Sequence, residues 1–408
     1  MAHTRIIVAL ILAYMLFGVL LNSVGTVILQ SVNSFGQTKS DAAILEAFKD
    51  FPIAITSFLV ASFLPRLGFR RGVIIGTAMV GLGCTAMPLI PTFVMAKLLF
   101  TIVGVAFALV KVSVYSSIGL VTNSSAQHAS LTSIIEGLFM VGVLSGYWVF
   151  GAFIDPGNPA SLVWLNVYWL LALLCAVVVV ILLVSPLNER EARGSDTNII
   201  QGFLSILRLA SRGLVIVFVF SAFLYVLIEQ AIGTWLPTFN NEVLRLPTAM
   251  SIQAASLFAA TLALGRLGAG IVFTRIGWYP VLNLCVVMMA LLVLISLPLT
   301  RGIALDPSVG WLSAPLAAYI LPMIGLFLAP IYPAINSVML TALPKTDHAA
   351  MTGLLVVFSA LGGTTGSFIT GQVFARFDGQ TAFYLSLLPM AVLLLSLTAF
   401  KRLSSAAP

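Results

Sequence analysis

Apolar residues in this chain do not mix with polar ones at the short periods of a soluble fold; they run in long blocks separated by clusters of charge, Pro, Gly and Asn. A helix needs about 20 mostly apolar residues to cross the hydrocarbon core. Cutting at the clusters predicts twelve such spans, at 6–32, 42–64, 72–90, 94–120, 127–152, 163–185, 213–239, 250–273, 279–299, 312–341, 350–375 and 380–400. The long polar stretch runs from Pro186 to Arg212 and holds Glu189, Arg190, Glu191, Arg193, Asp196, Arg208 and Arg212. It divides the spans six and six. The expected organisation is an N-terminal six-helix bundle over 1–187, a linker over 188–212 and a C-terminal six-helix bundle over 213–408.

An internal repeat supports that division. Pro65-Arg66-Leu67-Gly68-Phe69-Arg70 follows the second span, and Thr274-Arg275-Ile276-Gly277-Trp278-Tyr279 follows the eighth, 209 residues later. Two parallel six-helix repeats are the layout of a rocker-switch transporter with its site between the halves.

Composition agrees with the pattern: of 408 residues 60% are hydrophobic and 8% charged, with a mean hydropathy of +1.11, where a soluble domain carries about a quarter charged residues. The chain is therefore read as an all-α integral membrane protein. In a soluble protein the net charge of +7 would raise nucleic-acid binding; here it reports topology. With the N-terminus inside, twelve Lys and Arg fall on the cytoplasmic side and five (Lys39, Lys97, Arg245, Arg301, Arg376) outside, as the positive-inside rule requires of a chain with both termini cytoplasmic. Met1 to Arg5 leads into the apolar run without an A-x-A-like cleavage site, so a retained first span is expected. Cys84, Cys175 and Cys285 lie in apolar runs without CxxC spacing, and His3, His128 and His348 form no cluster. Neither a disulfide framework, a metal site nor a cofactor is expected.

Residues 61–71, Ala61-Ser62-Phe63-Leu64-Pro65-Arg66-Leu67-Gly68-Phe69-Arg70-Arg71, resemble the G-x-x-x-D-R-x-G-R-R loop between spans 2 and 3 of the major facilitator superfamily. They keep Arg66, Gly68 and the basic pair Arg70 and Arg71, and lack the first Gly and the Asp. The second copy keeps Gly270, Arg275 and Gly277, again without the Asp. The resemblance covers the whole chain and implies the major facilitator fold: twelve transmembrane helices in two six-helix pseudo-repeat bundles. Span 7, from Phe223-Leu224-Tyr225-Val226-Leu227-Ile228-Glu229 to Trp235-Leu236, is similar to the Y-V-x-x-E/Q pattern of fucose–proton symporter relatives, as are Gly265-Arg266 and Tyr332-Pro333. Those relatives carry acids in spans 1 and 4; here span 1 offers Asn22, Ser23 and Gln30, and Lys111 takes the span-4 position.

A charge at mid-bilayer costs at least about 2.5–3.5 kcal/mol, so such residues face the bundle interior and mark a pathway. Seven occur: Glu46, Lys49, Asp50, Lys111, Glu136, Glu229 and Arg266. Lys111 in span 4 and Glu136 in span 5 fall at equal depth, so they read either as a fixed lock or as a pair that solute or a proton opens, with Tyr115 one turn away. Glu46, Lys49 and Asp50 share one helical face, either as a solvated or self-neutralised outer vestibule or as lining of the cavity. Glu229 has no charge within four residues along its helix, and is either a neutral hydrogen-bonded acid or the group that exchanges the coupling proton, Glu136 being the second choice. Arg266 either snorkels or touches solute. Asn22, Tyr225, Trp235, Tyr332 and Asn336 complete the candidate lining with Lys111, Tyr115, Lys49 and Asp50. Arg66, Gly68, Arg70, Arg71, Arg266 and Arg275 form the gating set. The glycines of Leu361-Gly362-Gly363-Thr364-Thr365-Gly366 read as close helix packing rather than a phosphate loop.

The expected function is secondary transport of a small polar solute, an organic anion, zwitterion or sugar, across the inner (plasma) membrane by alternating access with proton coupling. The expected partners are the solute, protons and the lipid bilayer, with no nucleic acid, and the chain is expected to be a monomer. The alternatives are proton-antiport export of amphiphilic drugs or metabolites and a non-transporting sensor of the same fold. No nucleophile elbow or catalytic cluster points to an enzyme, and no Walker sequence to direct use of ATP.

Overall fold

The computed structural model describes residues 2–122, 124–187, 189, 212–304, 306, 308–341, 343 and 348–405. Most of the predicted linker, 188–212, lies outside the described residues. Helices occupy all twelve predicted segments, and no strand occurs among the described residues. Ten of these helical segments are long and apolar enough to cross a membrane, and a bent pair supplies an eleventh. Span 2, Leu45–Leu67, completes the twelve and carries Glu46, Lys49 and Asp50 in its first turns.

Two spans depart from single straight helices for local reasons. Span 1 is Ala2–Leu21 followed by Val24–Phe35, bent by 43°. At the break Asn22 Nδ2 donates to the Gly18 carbonyl at 3.0 Å and Ser23 Oγ to the Leu20 carbonyl at 2.7 Å, so side chains compete for the helix's own acceptors. Span 10, expected as one helix over 312–341, consists of Ala317–Ile320, a 3₁₀ turn at Leu321–Met323, Ile324–Leu328 and Ile331–Thr341. Pro322 and Pro330 stand at the joints, where proline removes a helix donor and clashes with the preceding turn.

The residues form two compact units. One gathers the chain up to Val27 together with Phe48 and beyond, through span 6; the other gathers Ile28–Ala47 and the residues after the linker. In the first unit, span 3 (Phe69–Leu89) packs on span 4 (Phe93–Val121), and span 1 on span 5 (Ser125–Ala152). In the second, span 7 (Gly213–Gly233) packs on span 11 (His348–Arg376). Lipid tails are as apolar as leucine, so helix association relies on close backbone approach at small residues. A Cβ on Gly142 would stand 2.1 Å from the Met15 carbonyl oxygen, and one on Gly366 2.2 Å from that of Leu227. The Gly362-to-Gly366 stretch is thus a packing seam against span 7.

Polar contacts, beside buried apolar residues such as Ile28, Leu29 and Ala43, join Ile28–Ala47 to the second unit. Lys39 Nζ pairs with Glu242 Oε2 at 2.9 Å, and Ser40 Oγ donates to Gln372 Oε1 at 3.1 Å. The Thr234 hydroxyl lies 3.2 Å from Glu46 Oε2 and 2.7 Å from Gln230 Oε1, so its one proton serves one acceptor at a time. Glu46 is wholly buried in this network.

Candidate functional site

In the first unit the structure gathers Glu136, Lys111 and Tyr115, and adds Tyr14, which the sequence did not single out. Tyr14 lies inside the apolar first half of span 1, and both it and Tyr115 donate to the same carboxylate oxygen of Glu136, Tyr14 at 3.3 Å. Phe139 and Phe107 back the Tyr14 ring at centroid distances of 4.9 and 6.1 Å. Lys111 and Glu136 do not form an ion pair within 4.0 Å. They remain within electrostatic reach, and Lys111 Nζ stands 5.7 Å from the Phe107 ring centroid, a cation–π distance. The Lys111 side chain is exposed, whereas Tyr14 is buried and Glu136 half-buried. An ammonium exposed to lipid two-thirds of the way along span 4 would carry the mid-bilayer penalty in full.

Lys111 and Glu136, read as a fixed lock or as a pair that opens, are not in ion-pair contact here, and the carboxylate is held by two tyrosines. The cation beside it is open to a further partner.

The second unit holds a cluster of like composition. Tyr225 and Tyr332 pack with ring centroids 5.2 Å apart, and Glu229 and Arg266 both act electrostatically on their hydroxyls. Glu229 is isolated along its own helix but not in space, because span 8 (Thr248–Ile276) brings Arg266 to the same tyrosines. Arg266 is exposed and Glu229 half-buried. Arg266, placed in the gating set, thus lies beside Glu229 and the two tyrosines.

Other predicted residues fall elsewhere. Trp235 is fully buried at the joint between Gly213–Gly233 and Leu236–Glu242, and its indole N–H donates to the Ser367 carbonyl at 2.9 Å. It anchors span 7 to span 11 and presents no surface to a solute. Lys49 pairs with Asp50 at 3.5 Å, and both side chains are nearly buried. Asn22 is exposed with its amide donating to its own helix. Asn336 is half-buried on Ile331–Thr341.

The turn after span 2 is built around Gly68 at φ +96°. From it the span-3 helix starts without a capping side chain of its own, and Glu189 supplies the acceptor: its Oε1 receives the Arg70 amide at 2.6 Å. A carboxylate at a helix N-terminus is favoured by the helix dipole. The Arg70 guanidinium reaches the other way, Nε to the Leu182 carbonyl at 2.8 Å and Nη2 to the Leu183 carbonyl at 2.7 Å, the last carbonyls of span 6 (Val167–Leu183). Glu189 thereby brings a carboxylate to a loop that lacks its own Asp. Arg71 is exposed, and the Arg66 side chain lies outside the described residues.

The repeat copy has the same backbone, with Gly277 at φ +82°, and inverts the chemistry. Position 70 + 209 is Tyr279, whose hydroxyl lies 3.1 Å from Thr398 Oγ1 and whose ring takes Lys401 Nζ at 4.2 Å. Here span 12 (Leu387–Ser405) supplies the cation; Arg275 is exposed.

The family profile of the Major Facilitator Superfamily matches residues 6–324. The chain belongs to that superfamily and is a multi-pass membrane protein of the major facilitator fold. An uncharacterised MFS-type transporter of Yersinia pestis is 24% identical over 215 residues, 53% of this chain and 52% of that protein, so the alignment spans about half the length of the curated relative. The fold is similar to that of the nucleoside transporter NupG, with a TM-score of 0.76 at 15% identity, covering 98% of this chain and 99% of that one. It is also similar to that of the E. coli fucose:proton symporter FucP, with a TM-score of 0.61 at 16% identity over 98% and 99% of the two chains.

Proposed function

We propose that this protein is a secondary active transporter that moves a small organic anion across the inner membrane by alternating access, coupled to protons. The two halves, 1–187 and 213–408, rock about the solute with both chain termini in the cytoplasm, and the protein works as a monomer. The observation that carries this reading is the exposed mid-span ammonium of Lys111, whose acidic neighbour is engaged by Tyr14 and Tyr115 instead. A mid-span cation without a carboxylate in contact recruits one from the solute. Half-buried Glu229, beside Arg266 and two tyrosines, is the acid proposed to bind and release the coupling proton. The fold is similar to those of proteins whose names include nucleoside transport and fucose:proton symport, and membership in a superfamily of transporters favours transport over catalysis.

The test is ligand-dependent thermal stabilisation of the purified protein across sugars, monocarboxylates, dicarboxylates, amino acids and amphiphilic drugs, because a ligand that prefers the folded state raises the melting temperature. The expected hit is a carboxylate whose stabilisation disappears in Lys111→Met. Stabilisation by a neutral sugar or a drug that survives in Lys111→Met contradicts the reading.

A further inference from the structure

Away from the intramembrane clusters, the second unit carries a cavity of about 410 Å³ at the end where the loops joining spans 7 to 8, 9 to 10 and 11 to 12 meet. Arg245, Arg301, Glu242, Asp378, Thr300 and Gln380 are among the residues lining it.

The carboxylates are already engaged. Glu242 Oε2 is paired with Lys39 at 2.9 Å, and Asp378 Oδ1 accepts the Thr381 amide at 2.6 Å as the cap of Gly379–Tyr384. The two guanidinium groups are exposed, and neither makes an ion pair or side-chain hydrogen bond among the described residues. With Lys39 counted against Glu242, the wall holds two arginines against one half-engaged carboxylate.

The walls are also held in place. Arg245 has φ +56°, the one non-glycine residue with a positive φ among the described residues, a conformation costing about 1–2 kcal/mol. Its turn is fixed on both sides: the Leu244 amide donates to the Phe239 carbonyl at 3.2 Å, the Leu246 amide to the Asn240 carbonyl at 3.1 Å, and the Leu246 carbonyl accepts both Asn241 Nδ2 at 3.0 Å and Ser251 Oγ at 3.1 Å. Backbone held in a strained region by its surroundings is characteristic of ligand-binding sites. Arg301 precedes Gly302 at φ +72°, and Gln380 bonds across the cavity floor to Thr300.

We propose that this cavity binds a small oxyanion, a carboxylate or phosphate group, between Arg245 and Arg301. Guanidinium groups match such groups with paired, charge-assisted hydrogen bonds. The proposal does not depend on Lys111 and goes beyond the transport reading. One chemistry here has two sources, a free solute or the phosphate of a lipid headgroup at the membrane surface.

The experiment uses the purified full-length protein in a neutral detergent and follows its melting temperature against inorganic phosphate, with sodium chloride at matched ionic strength. A parallel series uses short-chain phosphatidylglycerol against phosphatidylcholine of the same chain length. Both series are repeated in Arg245→Asn/Arg301→Gln and in Lys111→Met. Asparagine tolerates a positive φ better than arginine, so the double variant keeps its fold while losing the guanidinium groups. The expected result is a saturable rise with phosphate or with phosphatidylglycerol beyond the chloride control, retained in Lys111→Met. The half-saturating concentration should increase by about tenfold or more in the double variant, as for loss of a charged hydrogen bond. A response to free phosphate identifies a soluble ligand, and one confined to phosphatidylglycerol identifies a headgroup. No rise with either probe, an unchanged rise in the double variant, or a rise lost in Lys111→Met overturns the proposal.

Discussion

If Glu136 is held by tyrosines and not by Lys111, the coupling energies around it must follow that order. Glu136 Oε1 receives two hydroxyls, that of Tyr14 at 3.3 Å and the closer one of Tyr115. A hydrogen bond to a charged group contributes about 1.5–3 kcal/mol, and the longer Tyr14 contact, beyond the usual O–H···O range, should contribute about 1 kcal/mol or less. Lys111 lies beyond ion-pair contact. At an effective dielectric of about 20, unit charges 4 Å apart interact by about 4 kcal/mol and those 8 Å apart by about 2 kcal/mol. Exposure of the ammonium screens this toward the 0–1 kcal/mol of exposed pairs, so we expect about 1 kcal/mol or less. The assay is a pair of double-mutant cycles, Tyr115→Phe with Glu136→Leu and Lys111→Met with Glu136→Leu, read by detergent-induced unfolding of the purified protein in mixed micelles. Tyr115 should couple to Glu136 by about 1.5–3 kcal/mol and Lys111 by clearly less. A Lys111 coupling as large as that of Tyr115 would refute the reasoning, since the cation would then already be committed to the protein.

Three further outcomes follow from the geometry. Gly142→Ala, whose Cβ would meet the Met15 carbonyl oxygen at 2.1 Å, should lower stability by about 1–3 kcal/mol, whereas Gly137→Ala on the same helix, with open space around it, should be neutral or stabilising by up to about 1 kcal/mol; both are read by thermal unfolding. Gly68→Ala combines a φ of +96° with a Cβ 2.5 Å from Glu189 Oε2, so Glu189→Ala in the same protein should relieve the steric part and leave the conformational cost of about 1–2 kcal/mol. Full rescue would mean the backbone there relaxes. For topology, cysteines at Arg70, Gln201 and Ser404 in a cysteine-free background should all resist an impermeant thiol reagent in intact cells; labelling at Ser404 alone contradicts an even span count.

Much of the fold was legible because the signals are local or periodic. Apolar blocks located all twelve spans, and the repeat around Gly68 and Gly277 was visible because both turns need a positive φ that glycine supplies most cheaply. Span 10 was read as one helix because its apolar run continues through Pro322 and Pro330, and hydropathy does not register a missing amide. The site was legible only in part, for a related reason. Charges in apolar runs announced Lys111, Glu136, Glu229 and Arg266, but which of them meet is decided between helices. Tyr14 gave no signal because a tyrosine in an apolar run is ordinary, and Glu189 sat in a charged stretch where nothing tied it to Arg70, 119 residues away. Trp235 misled because an aromatic near a span end suits both a cavity wall and an anchor; its buried N–H donated to Ser367 decides for the anchor.

The central claim is that transport is driven by protons through the acid in span 7. Glu229→Gln keeps the shape and hydrogen bonding of the protonated acid and cannot titrate. The most direct measurement is accumulation of the radiolabelled carboxylate found in the thermal screen, in proteoliposomes with an imposed pH gradient, for the unaltered protein, Glu229→Gln and Glu136→Gln. The account predicts gradient-driven accumulation in the unaltered protein, and in Glu229→Gln its loss with binding and downhill exchange retained. Accumulation that persists in Glu229→Gln contradicts it, and moves the coupling site to span 5 if Glu136→Gln alone fails.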